Sequence, residues 1–334
     1  MKSFIRHISY YLPEKTLSNA DLIREFPHLV DEEIIKMTGV KSRHISAPGQ
    51  IGSDLAFECA EKLFREHPVK KEEIDFFLFC TEGLDYKGPS SACILQHRIG
   101  LPKTCGAMDI PFGCTGFVYG LSAAKAFVES GQAKNVLLLT TDVPSKVIHP
   151  ADHELRVIFG DAGAATLISA SESDSTIGNF VFGTDGSGEK NLIVRYSGSR
   201  EAATIEYLQK NSEVGGMPYG TMEMKGTEIF MFALKVVPKM VNELLAKENL
   251  NLDEIDLFVF HQANAYLLEI LRKKLKIEKH KFIIDMENTG NTVSASIPIA
   301  LKNAMDAGRA VKGMRIMICG FGIGYSWAGT ILTL

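Results

Sequence analysis

Two stretches of this chain are apolar at nearly every position over the length of a strand, and they read alike. Ile74-Asp-Phe-Phe-Leu-Phe-Cys-Thr81 and Ile255-Asp-Leu-Phe-Val-Phe-His-Gln262 lie at an offset of 181. Each follows an acidic segment, and each has the pattern of a strand buried on both faces. A second pair, Ala124-Lys-Ala-Phe-Val-Glu-Ser-Gly131 and Leu301-Lys-Asn-Ala-Met-Asp-Ala-Gly308, lies at an offset of 177. Both predict a helix closing on glycine and leading into a strand, Val136-Leu-Leu-Leu-Thr140 in one copy and Arg315-Ile-Met-Ile-Cys319 in the other. A period near 180 is too long for a solenoid or propeller. It implies two similar α/β halves packed as one body, residues 1–175 and 176–334.

Residues 184–226 interrupt the second copy with a Gly- and Ser-rich segment. Gly186-Ser-Gly-Glu-Lys and Gly215-Gly-Met-Pro-Tyr-Gly220 are turn chemistry, and the segment reads as a loop excursion within the second half. From about Thr227 to Lys247 the pattern becomes helical, with Ile229, Phe232, Val236, Met240 and Leu244 on one face, a core stripe.

Composition narrows the classes. With 334 residues, 46% of them hydrophobic and 23% charged, the chain is globular and long enough to bury a core without disulfides. A net charge of −4 argues against a broad grip on nucleic acid. No apolar run reaches the length of a membrane span. The opening residues lack a signal-peptide pattern, so the expected compartment is the cytoplasm, with all six cysteines as reduced thiols.

Candidate chemistry gathers where predicted strands end. Cys114 stands between Gly113 and Gly116, at the junction of a strand ending near Pro111 and a helix of small apolar residues. The glycines permit a tight turn, and the helix N-terminus favours a thiolate, which is how a cysteine nucleophile is made. A buried structural thiol is the other reading. The offset of 177 maps Cys114 onto Asn291. His261 ends the second copy of the repeated strand, as a core histidine or as a site residue at the strand mouth, where α/β folds place ligands. A pseudo-twofold arrangement would bring all three to one interface. The late cluster Gly320-Phe-Gly322-Ile-Gly324 is followed by strand rather than helix, which argues against a dinucleotide fingerprint and suits a loop offering N–H groups to an oxyanion. His149, Asp152 and His153 fit no common zinc spacing and read as a solvated loop.

On these residues the chain resembles the thiolase superfamily, and within it the β-ketoacyl-acyl-carrier-protein synthase III family. Thr38-Gly-Val, Pro89-Ser-Ser-Ala-Cys, Gly113-Cys-Thr-Gly, Phe159-Gly-Asp-Ala-Gly-Ala-Ala, His261-Gln-Ala-Asn, Asn288-Thr-Gly-Asn-Thr and Gly322-Ile-Gly-Tyr-Ser-Trp occur in order over nearly the whole chain. The resemblance implies a duplicated α-β-α-β-α sandwich. It implies acyl transfer from a primer thioester, usually acyl-CoA, to Cys114. Decarboxylative condensation with malonyl-acyl-carrier protein would come next, without metal or redox cofactor, in a homodimer. His261 and Asn291 would hold the enolate oxygen. The N–H groups of Cys114 and Ile323, in the loop Gly322–Gly324, would hold the thioester oxyanion. Lys273 and Lys274, with Arg272 and Lys276, would form the docking patch for the carrier protein. Gly88, in place of a bulky residue, would leave a roomy primer pocket at the partner subunit.

The departures are Glu33, Met37 and Tyr266 where the family clamps CoA with tryptophan and arginines; they favour a primer delivered on a carrier protein or as another thioester. Related enzymes that condense without decarboxylation keep a general base near the cysteine, and the matched motifs offer no acidic residue for that role. The rival reading within the fold is an acyltransferase or condensing enzyme of secondary metabolism or surface-lipid assembly with a non-standard primer. Two further classes fit less well. A papain-like protease would carry Cys-Gly-Ser-Cys-Trp and disulfides, and a non-catalytic partner subunit would have lost the nucleophile.

Overall fold

The computed structural model describes residues 2–171, 174–201, 203–213 and 220–334. Residues 215–219 of the second glycine-rich turn therefore lie outside the described residues. The first sheet holds β1 (Lys2–Tyr11), β2 (Phe76–Cys80), β3 (Gly106–Ile110), β4 (Asn135–Asp142) and β5 (Ala162–Ser171), in the order β1-β5-β4-β2-β3. The second holds β6 (Thr176–Thr184), β7 (Leu257–Phe260), β8 (Arg315–Gly322) and β9 (Ser326–Thr333), in the order β6-β9-β8-β7. In both sheets the inner all-apolar strand runs parallel to the next, β2 to β4 and β7 to β8, and the two remaining strands add antiparallel. β3 has only a vestige of a counterpart, the single parallel bridge between Phe258 and Phe282. The duplication read from two short repeats is thus a duplication of whole sheets.

Helices fill three layers. α1 (Gly52–Glu66) and α2 (Ser91–Ile99) cover the outer face of the first sheet, burying Ala56, Leu63, Leu95 and Ile99 against Phe77, Phe79, Leu137 and Leu139. The central layer is α3 (Gly116–Glu129), whose residues are small or apolar on every side apart from the Lys125–Glu129 pair near its end, as a helix between two sheets requires. Phe117, Val118 and Leu121 meet Leu78 and Leu138 of one sheet and Ile316 and Ile318 of the other. α4 (Gly226–Glu248) and α5 (Ala265–Lys274) cover the outer face of the second sheet, and α6 (Ser296–Asp306) joins α3 in the middle. The order is α-β-α-β-α.

Alternation of period two within β2 explains why Phe77 and Phe79 face one layer while Leu78 and Cys80 face the other. Residues 184–226, read as a loop, contain a short helical turn over Gly186–Asn191, a two-stranded ribbon of Leu192–Val194 with Met222–Met224, and the helix Ile205–Glu213. No helix among the described residues is long and apolar enough to cross a membrane.

Several motifs prove to be single packing events. Gly39 ends the helix Asp31–Thr38 in the left-handed region, φ 78°, and abuts α5 so closely that a Cβ there would fall 2.5 Å from the Ala265 Cβ. Phe159-Gly160 and Thr289-Gly290-Asn291 are two sides of one crossing: a Cβ on Gly160 would lie 2.1 Å from the Thr289 carbonyl oxygen, and Phe159 bridges to Asn291. Asp161 is no reactive group. It is fully buried and accepts N–H groups of Ser46 and Ser145 at 2.7 and 3.0 Å.

Candidate active site

Parallel strands deliver the residues at their ends to one edge of a sheet. The residues just past β3, β2 and β4 are Cys114, Glu82 and Asp142, the last closing β4 itself. β7 ends at Phe260, so His261 leaves the second sheet at the corresponding edge. Asn291 arrives on the segment before α6, which is the counterpart of the segment before α3. Cys114, His261 and Asn291 all line one cavity of about 390 Å³ at the seam of the two halves.

Cys114 is 7% exposed. Burial, then the negative charges of Glu82 and Asp142, push the thiol up to about 12, against pulls from the backbone N–H groups of Ile323 and of Cys114 itself. Those two N–H groups face Sγ. Gly322 presses on the nucleophile: a Cβ there would lie 2.6 Å from the Cys114 Cβ and 2.7 Å from its Sγ. Gly324 turns the loop with φ 132° and does not reach the cavity. Gly113 and Gly116 are not in the left-handed region. They supply space, Gly113 for the carboxyl of Glu82 and Gly116 for the Sγ of Cys80, 2.4 Å from where its Cβ would be.

His261 is 1% exposed, and burial pushes its pKa down to about 3, with a small opposite pull from the Val293 backbone. It is therefore neutral near pH 7. Its Nδ1 lies 2.8 Å from Ser296 Oγ, which also accepts the Gln262 N–H at 3.3 Å. Assigning the hydroxyl hydrogen to Nδ1 leaves the ring proton on Nε2, as a donor. Asn291 is oriented more firmly. Its Oδ1 accepts the Val293 N–H at 3.0 Å and its Nδ2 donates to the Ala263 carbonyl at 3.3 Å, leaving one amide hydrogen unused. Val293 holds this arrangement with φ 53°, an uncommon conformation for a β-branched residue.

The inner wall is apolar. Ile148, Leu155, Phe159, Leu192, Met222 and Val293 pack with Cys114, so the excursion into residues 185–225 supplies part of the pocket. Ile229, assigned by its spacing to a core stripe, lines the cavity with Phe230. Met37 and Tyr266, 50% and 44% exposed, are also among its lining residues and mark the mouth.

The other predicted residues lie away from the cavity. Gly88 does not line the cavity of its own chain; it is exposed, with open space where a Cβ would point. The basic patch is partly neutralised: Arg272 makes a two-pronged pair with Glu269, which Lys273 also approaches at 3.5 Å, while Lys274 and Lys276 stay exposed and form no ion pair among the described residues. His149, Asp152 and His153 form a capping turn, Asp152 accepting the Leu155 N–H at 3.0 Å. One residue the motifs missed is Glu82, whose carboxyl lies against Gly113, the neighbour of Cys114. The signal was present in the chain, since Glu82 directly succeeds the repeated strand and its Thr81.

A duplicated sandwich that sets a thiol from one half against hydrogen-bond donors from the other defines the thiolase-fold condensing enzymes. Comparison with known proteins is more specific. Residues 108–186 match the family described as 3-oxoacyl-[acyl-carrier-protein] synthase III, and residues 245–334 match its C-terminal domain. A β-ketoacyl-[acyl-carrier-protein] synthase III of Caldanaerobacter subterraneus subsp. tengcongensis is 38% identical over 96% of this chain and 95% of its own. A crystal structure of a 3-oxoacyl-(acyl-carrier-protein) synthase III superposes with a TM-score of 0.95 at 43% identity, covering both chains completely. The enzyme of that name from Thermus thermophilus gives 0.88 at 34% identity over 99% of each chain. The chain belongs to the 3-oxoacyl-[acyl-carrier-protein] synthase III family.

Proposed function

We propose that this protein is a decarboxylating condensing enzyme that joins a primer acyl group to malonyl-acyl-carrier protein, giving a 3-oxoacyl thioester. The observation that carries the reading is the convergence of Cys114, His261 and Asn291 in one cavity of a chain of this family. In the first stage Cys114 Sγ bonds to the primer carbonyl carbon and the bond to the departing thiol breaks. The N–H groups of Cys114 and Ile323 hold the oxyanion. In the second stage malonyl loses carbon dioxide, and the electron pair moves into an enolate. Its oxygen accepts hydrogen bonds from His261 Nε2–H and the unused Asn291 Nδ2–H. The enolate carbon then attacks the acyl group and releases Cys114. The electrons come from the departing carboxylate, so this chemistry calls for no resident metal or redox cofactor.

The carrier protein docks near α5, where exposed Lys273 and Lys274 stand two turns from Tyr266 at the mouth. The mouth residues Met37 and Tyr266 carry no charge toward a nucleotide, and Glu33 stands one helical turn from Met37 on the same face. These favour a primer brought by a carrier protein over one on CoA. We place the enzyme in the cytoplasm as a homodimer, with Gly88 facing the partner's pocket.

Intact-protein mass spectrometry after mixing with acyl-CoAs and acyl-carrier proteins tests the assignment. An acyl mass gain in wild type that disappears in Cys114→Ser is expected, and Asn291→Asp should keep that gain while losing condensation. Retained labelling in Cys114→Ser would overturn the nucleophile. Equal loss of both stages in Asn291→Asp would overturn the division of labour.

A further inference from the structure

The two N–H groups assigned to the oxyanion are held in unlike ways. That of Cys114 lies at the entry to α3, a helix packed between two sheets. That of Ile323 stands in a three-residue turn between β8 and β9, with a glycine on either side of it. Glycines give a turn little conformational preference of its own. Yet an oxyanion donor acts only if it is in place before the charge develops. The turn therefore needs an anchor from outside.

Two hydroxyls supply one. Thr115 is the N-cap of α3, a position where a threonine hydroxyl commonly accepts an N–H from the first turn of its own helix. Here it makes no such bond. Its Oγ1 lies instead 2.8 Å from the Oγ of Ser326, the first residue of β9. Ser326 Oγ lies in turn 2.8 Å from the Ile323 carbonyl oxygen. A carbonyl can only accept, so the single hydroxyl hydrogen of Ser326 goes to Ile323 and Thr115 donates to Ser326. The relay thus has one direction, from Thr115 through Ser326 to Ile323. Thr115 is fully buried and Ser326 nearly so, which keeps water from competing for either bond.

Ser326 grips Ile323 from both sides. Its hydroxyl fixes the Ile323 carbonyl, and its backbone pairs with Gly322, the residue before Ile323, across the ladder of β8 and β9. Two glycines of the late cluster let the nucleophile's turn seat against this arrangement. A Cβ on Gly320 would lie 2.9 Å from the Thr115 Cα, as one on Gly322 would crowd Cys114. The relay also crosses the seam of the molecule, since Thr115 belongs to the first half and Ser326 to the second.

Resting on the reading of the Ile323 N–H as an oxyanion donor, we infer that Thr115 and Ser326 are positioning residues of acyl transfer, whose hydroxyl relay ties the Cys114 turn to the glycine loop and holds the Ile323 N–H in register with the nucleophile. Neither side chain lines the cavity, so both act through Ile323 and not on the substrate.

The test uses the full chain and butyryl-N-acetylcysteamine thioester, a small primer that needs no carrier recognition. Cys114 acylation is followed by rapid-quench mass spectrometry over a range of thioester concentrations. Iodoacetamide alkylation runs in parallel, because it consumes the thiol without forming an oxyanion. Ser326→Ala should lower the maximal acylation rate at least about tenfold, leave the thioester concentration at half-maximal rate unchanged, and change alkylation far less. A merely structural role would not separate these readouts. Thr115→Val keeps the shape and loses the hydroxyl; it should slow acylation less than Ser326→Ala, because Ser326 still reaches Ile323. It also covers the case in which the Ser326 variant misfolds. Thr115→Ser should recover most of the loss seen in Thr115→Val. Thr115→Val combined with Ser326→Ala should be no slower than Ser326→Ala alone, as a single relay requires. Wild-type acylation in folded Ser326→Ala and Thr115→Val, acylation and alkylation falling in step, or no recovery in Thr115→Ser would each refute the inference. Wild-type acylation in Gly322→Ala as well would refute the oxyanion reading on which it rests, and a wild type that accepts no thioester would refute the assignment of Cys114.

Discussion

A residue with no side chain packs against the nucleophile, and adding one methyl group tests the whole oxyanion geometry. In Gly322→Ala the new Cβ would start 2.6 Å from the Cys114 Cβ and 2.7 Å from Sγ, where ordinary contact begins at 3.4 Å. Relief requires the two segments to part by the difference, about 0.7–0.8 Å. The thiol can retreat little, because Thr115 behind it is fully buried and hydrogen-bonded to Ser326 at 2.8 Å. The separation therefore falls on the distance between Sγ and the Ile323 N–H. A misplacement of about 1 Å in a reacting group costs on the order of a hundredfold, and overpacking costs about 1–3 kcal/mol of stability. The expected outcome is a fall of roughly a hundredfold in Cys114 acylation rate with a melting temperature lower by only a few degrees. Gly186→Ala, where nothing lies within 4 Å of the new carbon, is the control and should acylate like wild type. Rate measurement by quenched mass spectrometry, beside thermal melts of all three proteins, decides it. Wild-type acylation in a folded Gly322→Ala would show that the glycine loop does not form the oxyanion site.

The same geometry carries further expectations. Since burial and two carboxylates push Cys114 up to about 12, iodoacetamide alkylation of Cys114 should keep accelerating from pH 7 to pH 10; a plateau near neutrality would reveal a preformed thiolate and contradict the burial argument. His261 is neutral in the folded protein down to about pH 3, whereas an unfolded chain protonates it near 6.5. Stability should therefore fall as pH drops below 6.5, by about 1.4 kcal/mol per unit for this group, and His261→Ala should flatten that decline in melts between pH 7.5 and 4.5. Ser296→Ala removes the anchor of His261 Nδ1, so decarboxylation should suffer by at least about tenfold while the acyl-enzyme still forms; equal loss of both stages would mean that Ser296 serves only the fold.

How much could be read from the chain without coordinates was set by where periodicity carries information. Runs such as Phe76–Cys80 and Leu257–Phe260 are apolar on both faces because each lies between two layers of helix, so a local pattern reported a global position. The ends of those runs reported the site, since a buried strand can place polar side chains usefully only at its mouth. The cavity wall was illegible for the opposite reason. Leu192, Met222 and Ile229 are ordinary apolar residues whose role comes from contacts across the fold with Cys114 or its cavity. The setting of Cys114 was only half legible on the same ground: a helix terminus is visible in sequence, whereas the burial and the two carboxylates that push the thiol up come from strands separated by many residues. Glu82 lies between these cases. It stands one residue beyond Thr81, the counterpart of Gln262 in the other repeat, so the duplication already marked its place as a strand mouth. Only the packing of its carboxyl on Gly113 shows that the first half carries a polar group next to the neighbour of its nucleophile, two residues past the position at which the second half supplies its histidine.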